Sequence, residues 1–292
     1  MIAILGANGY LGSAYVTYFT ENRIPYIPYS RSKDGDLLGK DNLFNFLKSN
    51  KPTFLVNAAG YTGKPNVDAC ELDKEATYAG NVTLPMIVGE TCETLSIPWG
   101  HVSSGCIYNG YDKDYEETDE PNFSFDNPPC SYYSGTKAEA ESKIMEAFDK
   151  VFIWRLRIPF DENPNKRNYL TKVLNYDTLL NIKNSVSHKE DFVKATLQLV
   201  NKKCDSGIYN VVNTGHFTAS DVLALFFEKY TNGLEDKNWR LIQSVEEFYQ
   251  VVKTVTPRSN CVLSNKKLLD SGIKIRHVHE AMSSAIDNYT MV

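Results

Sequence analysis

A glycine-rich turn near the N-terminus most strongly constrains how this chain can fold. Residues 6 to 12 read GANGYLG, directly after an apolar strand predicted at Ile2–Leu5 and at the start of an amphipathic helix. Glycines permit a tight turn, and the helix N-terminus offers free N–H groups and a positive dipole end to a pyrophosphate. The pattern predicts a dinucleotide-binding turn, and a simple tight turn is the alternative. The residues predicted to bind the cofactor here are Gly6, Asn8, Gly9, Tyr10, Leu11 and Gly12.

The N-terminal half continues this strand–helix order. Short apolar runs predict strands at Ile2–Leu5, Tyr26–Tyr29, Phe54–Ala58, Trp99–Ser103 and Val151–Arg157. Helices are predicted between them at Leu11–Glu21, Asn42–Lys48, Glu75–Leu95 and Ser131–Phe148. Short apolar strands that alternate with helices are typical of a parallel sheet covered on both faces. We therefore predict an α/β fold with a Rossmann doubly wound parallel sheet.

The alternation weakens after Pro159. The polar stretch FDENPNKRN predicts a loop, and helices are predicted at Tyr169–Asn175 and Lys189–Asn201. A strand at Gly207–Val212 leads to a helix that Thr218 or Ser220–Asp221 would cap. We predict a Rossmann domain that binds the dinucleotide at residues 1–160 and a smaller C-terminal α+β substrate-binding region at 161–292. Some elements of that region are expected to cross back to the sheet domain.

Charge, hydropathy and cysteine spacing limit the kinds of binding partner that we expect for this chain. The formal net charge of −5 gives no electrostatic footprint for nucleic acid and no polybasic surface for anionic lipid. No apolar run approaches the ~18 residues of a membrane span, and the N-terminus lacks the basic flank and cleavage site of a signal peptide. None of the six cysteines forms a C-x-x-C pair, and the five histidines are scattered. We therefore expect a cytoplasmic protein with reduced thiols, no bound metal, and neither nucleic acid nor membrane as a partner.

The end of the second predicted strand indicates which dinucleotide is preferred. An acidic residue about 20 positions after the turn usually forms a hydrogen bond with the ribose hydroxyl of NAD. Here the strand ends in Ser30, Arg31 and Ser32, followed by Lys33, without a carboxylate at that point. Because an arginine with neighbouring hydroxyls suits a 2′-phosphate, the sequence favours NADPH over NADH. The alternative is that these basic residues are solvated loop charges.

The third predicted strand ends in small residues. Ala58, Ala59 and Gly60 leave room for a cofactor across the edge of the sheet, so we predict that they contact it. Close packing alone would also explain small residues at these positions.

A tyrosine and a lysine stand four residues apart at the start of a predicted helix. Tyr133 and Lys137 lie on one face of that helix, which follows the strand that ends near Ser104. A phenol has an ordinary pKa near ~10, and a neighbouring ammonium together with an oxidised nicotinamide is expected to lower this pKa. With Ser104 bonded to the same substrate oxygen, the set predicts a proton donor for a carbonyl that receives a hydride.

The stretch HVSSGCIYNG at 101–110 also contains a cysteine two residues after Ser104. A buried thiol that fills space is the ordinary explanation of an isolated cysteine. The position of Cys106 beside the predicted reduction residues instead favours a chemical role.

Taken together, these motifs resemble the extended short-chain dehydrogenase/reductases, which act mainly on nucleotide sugars. The matching pieces are GANGYLG, NAAG at 57–60, Asn81, Ser104 and the Tyr133/Lys137 pair. The segments NAAGYTGKPNVDACE, SSGCIY, RNYLTKV and TPRSN further resemble the bifunctional UDP-4-keto-6-deoxyglucose 3,5-epimerase/4-reductases of UDP-L-rhamnose synthesis.

The resemblance implies roles for individual residues. Ser104, Tyr133 and Lys137 would carry out the reduction, with Lys137 also bonding the nicotinamide ribose. Cys106 and Lys172 would be the acid–base pair of epimerisation, although a lysine on an amphipathic helix is usually solvated. Thr62, Asn168 and Arg258 would bind the nucleotide sugar, with Asn168 and Arg258 near its phosphates.

The resemblance also implies the substrate and its source. NADPH would reduce a UDP-linked 4-keto-6-deoxy sugar, and a homodimer is common in the family. Related 4,6-dehydratases carry an Asp-Glu pair where this chain has Gly105 and Cys106, so a separate upstream dehydratase would supply the substrate. A 4-keto sugar reductase without epimerase activity, UDP- or dTDP-linked, and a non-catalytic NADP-binding regulatory subunit are the alternatives.

Overall fold

The computed structural model describes residues 1–64, 66–230, 234, 237–253 and 256–291. Its strands are β1 (Ile2–Leu5), β2 (Tyr26–Pro28), β3 (Phe54–Asn57), β4 (Trp99–Ser104), β5 (Gly110–Tyr115), β6 (Val151–Leu156), β7 (Pro159–Phe160), β8 (Thr178–Leu180), β9 (Ser187–His188), β10 (Gly207–Asn210), β11 (Arg240–Ile242) and β12 (Cys261–Leu263). Its α-helices are α1 (Gly12–Glu21), α2 (Arg31–Asp34), α3 (Lys40–Asn50), α4 (Lys74–Tyr78), α5 (Leu84–Thr94), α6 (Tyr132–Ala147), α7 (Tyr169–Asn175), α8 (Lys189–Asn201), α9 (Ala219–Lys229), α10 (Val245–Val252), α11 (Lys266–Asp270) and α12 (Val278–Asp287).

A parallel sheet forms the centre of the fold. In the described part of the chain it has six strands in the order β10-β6-β4-β3-β1-β2. This order confirms the predicted α/β class with a doubly wound Rossmann sheet. The five strands predicted in the N-terminal half agree with β1, β2, β3, β4 and β6 to within one residue at each end.

Alternation along the strands builds a core on each face of the sheet. Ile4 and Val56 belong to the cluster that contains Tyr15 and Phe19 of α1, whereas Leu5 belongs to the opposite cluster. The opposite cluster contains residues of α3, α5 and α6, among them Leu43, Val88 and Ile144. Since successive strand residues point to opposite faces, wholly apolar strands require helices on both sides.

The helix predicted at Glu75–Leu95 is divided. α4 and α5 are joined by a π-helical turn at Ala79–Thr83, which carries Asn81 at its centre. Such single π turns occur often at functional sites in helices. This turn directs the fully buried Asn81 side chain toward the loop after β3, where its Oδ1 accepts from the Tyr61 N–H at 2.8 Å.

The C-terminal region has its own core. Phe160, Leu170, Phe226 and Met282 are fully buried in one cluster, which brings together β7, α7, α9 and α12. α9 begins at Thr218, whose hydroxyl accepts from the Asp221 N–H at 3.2 Å while Asp221 accepts from the Thr218 N–H at 2.9 Å. Thr218 and Ser220–Asp221 were the two predicted caps, and this reciprocal capping box shows that Thr218 is the N-cap.

Two C-terminal elements return to the sheet. Phe192 and Val193 of α8 pack in the same cluster as Tyr15 of α1, and β10 extends the sheet beside β6. The loop predicted at 160–168 is mostly irregular, with Phe160 in β7. The division of the chain at residue 160 stays a prediction.

Within the described residues, no helix combines the length and the apolar character that crossing a membrane requires.

Candidate active site

The glycine-rich turn packs tightly against the end of β3. Gly6 has a φ of +75°, and a Cβ on it would lie 2.7 Å from the Ala58 carbonyl carbon. A Cβ on Gly12 would lie 1.9 Å from the Gly6 oxygen, so a side chain fits at neither position. Asn8 and Gly9 are exposed, and Tyr10 and Leu11 are half-buried before α1. The turn therefore leaves backbone open at the N-terminus of α1, as a pyrophosphate requires.

The predicted cofactor residues after β3 lie along an open edge. Ala58 and Ala59 are half-buried and Gly60 is exposed, while the Ala59 N–H is held by Asn57 Oδ1 at 3.1 Å. The Lys137 Nζ lies 3.7 Å from the place that a Cβ on Gly60 would take. This arrangement brings Gly60 and Lys137 together.

A carboxylate that was not predicted lies at the end of β2. Ser30 is half-buried, and Arg31 and Ser32 are exposed as expected. However, α2 turns the chain back so that Asp34 Oδ2 accepts from the Ser30 N–H at 2.8 Å. Residues 30–33 lack a carboxylate as expected, but the short helix adds one from Asp34, four residues after Ser30.

The reduction residues meet at the end of β4. α6 is capped by Ser131, which accepts from the Ser134 N–H at 3.0 Å, and this places Tyr133 in the first turn. The Ser104 side chain lies beside the Tyr133 phenol, where its hydrogen-bonding influence acts to lower the pKa of that phenol. Lys137 follows one turn later, is buried, and its Nζ lies 3.4 Å from the Val102 carbonyl oxygen. The structure thus brings together the three residues predicted to act on one carbonyl.

The pKa of Tyr133 departs from its expectation. Burial raises this pKa above the usual value for a phenol, and the nearby thiols of Cys106 and Cys70 act in the same direction. The hydrogen bond from Ser104 and the charge of Arg167 oppose the increase but do not overcome it. Burial lowers the pKa of Lys137. The chain alone therefore keeps the phenol protonated, which suits a proton donor.

Cys106 lies on the same turn as Ser104. Its N–H donates to Ser104 Oγ at 3.3 Å, and its thiol is free and partly exposed. The turn is supported from beneath by β12: the Cys261 thiol donates to the Gly105 oxygen at 3.6 Å, and a Cβ on Gly105 would lie 2.4 Å from Leu263 Cδ1. The charge of the Cys106 thiolate would raise the pKa values of both Tyr133 and Lys137.

Three cationic residues, Arg167, Lys172 and Arg258, lie near one another in the C-terminal region. Burial lowers the pKa of Lys172, and the charges of Arg167 and Arg258 lower it further. Arg167 donates to Thr62 Oγ1 and, at 2.9 Å, to the Gly63 oxygen. Arg258 forms an ion pair with Asp68 at 2.7 Å. Lys172 is thus half-buried among charges and is not the solvated lysine that its helix alone suggests.

Arg167 was not predicted as a site residue from the sequence. It precedes Asn168 in the RNYLTKV segment, and its only signal is a basic residue in the loop before α7. Its charge reaches Tyr133, and its guanidinium contacts Thr62, a predicted substrate residue.

Asn168 has a different environment from the one expected. Its side chain is fully buried, caps α7 by accepting from the Leu170 N–H at 3.0 Å, and donates to the Asp161 and Asn163 oxygens. All of this bonding is internal, so its amide does not face a ligand. The geometry does not support the expected contact with a phosphate by this side chain.

Tyr10 connects the glycine-rich turn to the C-terminal region. Its phenol donates to Asp161 Oδ1 at 3.0 Å, and the Lys189 Nζ lies 4.1 Å from the centre of its ring. Lys189 in turn forms an ion pair with Asp161 at 2.5 Å, and Asp161 also accepts from Asn168. The cofactor turn and the loop before α7 are therefore held together by one buried network.

The described residues contain no group of three or more histidine, cysteine, aspartate or glutamate residues that could hold a metal ion.

Comparison with known proteins gives a consistent picture. The family described as the RmlD substrate binding domain matches residues 1–291. A bifunctional dTDP-4-dehydrorhamnose 3,5-epimerase/dTDP-4-dehydrorhamnose reductase of Arabidopsis thaliana is 28% identical over 288 residues, which cover 96% of this chain and 90% of the relative. A trifunctional UDP-glucose 4,6-dehydratase/UDP-4-keto-6-deoxy-D-glucose 3,5-epimerase/UDP-4-keto-L-rhamnose-reductase of the same plant is 31% identical over 274 residues, or 91% of this chain. The chain spans only 39% of that relative's length.

Solved structures share the fold over the whole chain. The L780 UDP-rhamnose synthase of Acanthamoeba polyphaga mimivirus has a TM-score of 0.86 at 20% identity, with 98% of each chain covered. A dTDP-4-dehydrorhamnose reductase of Bacillus anthracis in complex with NADP has a TM-score of 0.79 at 16% identity, covering 99% of this chain and 96% of the other. At these identities the likeness establishes the Rossmann fold.

Proposed function

The chain belongs to the RmlD substrate binding domain family, and on this basis we propose that it is an NADPH-dependent reductase of a 4-keto-6-deoxy nucleotide sugar. The observation that carries the proposal is the meeting of Ser104, Tyr133 and Lys137 beside the glycine-rich turn. The NADP complex of the Bacillus anthracis reductase supports the choice of cofactor.

We further propose that the chain inverts C3 and C5 of the sugar before or during reduction, and that its product is UDP-L-rhamnose. The Arabidopsis relative that the chain covers almost completely is named as both epimerase and reductase. The trifunctional relative names a 4,6-dehydratase as well, but the chain spans only part of it. A separate dehydratase would then supply the 4-keto sugar.

The residues of the chain can support the reduction. NADPH, when bound, supplies the hydride. Tyr133 is protonated because burial raises its pKa, so it can donate a proton to the C4 oxygen. Ser104 lies beside the phenol and would bond the same oxygen, and both would stabilise negative charge that develops there. The Lys137 ammonium lies near Gly60 and the Val102 carbonyl oxygen, where it would hold the nicotinamide ribose.

Epimerisation needs two further groups near the same carbonyl. Hydrogens on C3 and C5 are acidic because both carbons flank C4, and inversion requires a base on one face and an acid on the other. Cys106 is partly exposed on the turn that carries Ser104. Lys172 has a lowered pKa, which makes its neutral, basic form more accessible. We therefore propose these two residues as the acid–base pair.

Arg258, Arg167 and Thr62 would contact the nucleotide part of the substrate. The two guanidinium groups would neutralise a diphosphate in this position. Asn168 would act by holding the loop that carries Arg167, since its side chain caps α7 and anchors residues 161–163.

The test is product analysis by NMR after incubation of the protein with UDP-4-keto-6-deoxyglucose and NADPH in heavy water. We expect UDP-L-rhamnose with deuterium at C3 and C5. Cys106→Ala should suppress this deuterium incorporation while binding of NADPH is unchanged. Cys204→Ala is a suitable control, because Cys204 packs against the core cluster that contains Tyr15 and Phe192. Normal exchange in Cys106→Ala would contradict the role of the thiol.

A reductase without epimerase activity is the second candidate. It is favoured by the dTDP-4-dehydrorhamnose reductase of Aggregatibacter actinomycetemcomitans, which is 30% identical over 165 residues and covers 56% of this chain. This candidate predicts that the chain reduces an already inverted dTDP- or UDP-linked sugar and incorporates no deuterium from solvent. If no 4-keto sugar supports NADPH oxidation, a non-catalytic NADP-binding subunit becomes the better explanation.

A further inference from the structure

The carboxylate of Asp34 lies at the place where dinucleotide-binding folds distinguish NAD from NADP. In such folds the residue at the end of the second strand contacts the adenosine ribose at its 2′ position. In this chain that position is Ser30, directly after β2 and the buried Tyr29. Asp34 Oδ2 lies 2.8 Å from the Ser30 nitrogen and therefore occupies the neighbourhood of the 2′ group.

The position of Asp34 is well defined by its surroundings. The Tyr29 phenol donates to the Asp34 carbonyl oxygen at 2.7 Å, and the Asp34 N–H donates to the Ser30 oxygen at 2.7 Å. Gly35 ends α2 with a φ of +91°, and a Cβ there would lie 2.5 Å from the Asn42 Nδ2. The turn from Ser30 to Gly35 is thus held at both ends, and the carboxylate is fixed against the Ser30 backbone.

Opposite charges therefore meet at the ribose position. Arg31 and Lys33 are exposed on α2 and would attract a 2′-phosphate. Asp34 adds a negative charge within the same turn, which repels a phosphate of charge about −1.5 to −2. Within the described residues, Asp34 Oδ1 has no hydrogen-bond donor, and it is suited to accept from a free 2′-hydroxyl.

We propose that Asp34 is a specificity-determining residue of the cofactor site, which weakens the preference for the 2′-phosphate and allows NAD(H) to bind. The inference rests on the proposed function, because it requires a dinucleotide at the glycine-rich turn. Arg31 and Asp34 then act in opposite directions on the same ribose, and their balance sets the ratio of the two affinities.

The size of the effect follows from the charge. Across ~5 Å in a water-like dielectric, removal of one negative charge beside the phosphate corresponds to about a tenfold change in affinity. Asp34→Asn keeps an oxygen that can accept from Ser30 N–H but removes the charge. We expect it to tighten binding of NADP+ about tenfold and to weaken binding of NAD+ by a few fold, because the ribose hydroxyl loses a charged acceptor.

The experiment is isothermal titration calorimetry of NADP+ and NAD+ separately with the full chain, which needs no knowledge of the sugar substrate. Asp36→Asn is the matched control, since Asp36 also accepts from a backbone N–H, that of Leu38 at 3.0 Å, two residues away. Asp34→Ser is the second variant and retains an acceptor for Ser30 if the asparagine variant does not fold.

The outcomes separate the two proposals. A rise in the NADP+ to NAD+ affinity ratio in the Asp34 variants but not in Asp36→Asn supports the inference. An unchanged ratio, or an equal rise in Asp36→Asn, overturns it and leaves the proposed reductase intact. Failure of the unsubstituted chain to bind either dinucleotide overturns the proposed function and the role of Asp34 together.

Discussion

Replacement of Glu141 by glutamine is expected to destabilise the protein strongly. Glu141 lies on α6, one turn after Lys137, and forms an ion pair with Arg155 of β6 at 2.7 Å, with 4% and 3% of the two side chains exposed. Arg155 donates twice to Glu141 Oε2, at 2.8 and 2.7 Å, and Ser103 donates to Glu141 Oε1 at 2.5 Å. The substitution would leave the buried guanidinium without its ion-pair partner, and the carboxylate of Glu117 would still act on it.

The structure sets the magnitude. Loss of one partner of a buried ion pair costs about 3–5 kcal/mol, because the remaining charge is desolvated and uncompensated. The Tyr108 hydroxyl, which accepts from Arg155 Nη1 at 2.9 Å, is neutral and cannot compensate. Glu139→Gln is the control, two residues earlier on the same helix. Its ion pair with Lys143 is partly exposed and should contribute no more than about 1 kcal/mol.

Urea unfolding followed by far-UV circular dichroism measures both variants. With a slope of about 3 kcal/mol per molar urea, Glu141→Gln should lower the midpoint by roughly 1 to 2 M, and Glu139→Gln by a few tenths. The double variant with Arg155→Met should cost less than the sum of the single substitutions, since it removes the unpaired charge.

The refuting result is a midpoint for Glu141→Gln that falls no further than that of Glu139→Gln. In that case, water or another group would have to solvate Arg155, and the buried pair would not hold α6 against β6. The same network joins Ser103 to the helix of Tyr133 and Lys137. We therefore also expect Glu141→Gln to lower kcat of the folded enzyme through displaced reduction residues.

Three further predictions concern the cofactor site, the acid–base lysine and a helix cap. Arg31→Ala should reduce the ratio of NADPH to NADH turnover, and an unchanged ratio would remove Arg31 from the cofactor site. Lys172→Met should raise stability at neutral pH, because burial lowers the pKa of Lys172 and the folded chain disfavours its proton. This gain is measured as the difference in urea midpoint between the variant and the unsubstituted chain. It should shrink as the pH rises toward ~10.4, because the lysine of the unfolded chain then also loses its proton. A gain that does not depend on pH would contradict the prediction. Thr218→Ala should cost about 1 kcal/mol in urea unfolding through loss of the capping box, whereas Thr20→Ala, on the exposed end of α1, should cost less.

The features that were predicted correctly from the sequence depend on residues that are close together in the chain. Gly6 is required by the close approach of the turn to the end of β3, and Gly9 and Gly12 by close contact with the Gly6 backbone. The strand positions follow from short apolar runs that are covered by a core on each face of the sheet. The four-residue spacing of Tyr133 and Lys137 places both on one face of α6 at the end of β4. Each of these signals lies within a few residues of the feature that it predicts, so the sequence alone contains them.

Long-range packing decided the remainder of the site. Arg167 reaches Thr62 from 105 positions away, and Arg258 reaches Asp68 from 190 positions away. Burial reverses the expected change in the pKa of Tyr133, and it turns Lys172 from an ordinary helix lysine into one with a lowered pKa.

The local environments of Asn168 and Asp34 were also set by the folded chain. Asn168 lies in a motif that suggested contact with a ligand. In the structure its side-chain amide is instead hydrogen-bonded to the start of α7 and to the loop before it. Asp34 approaches Ser30 because one short helical turn and Gly35 bring it back. The sequence by itself determined the order of strands and helices and the residues at the strand ends. Only the tertiary structure decided charge, burial and pairing there, because these depend on groups that are distant in the chain.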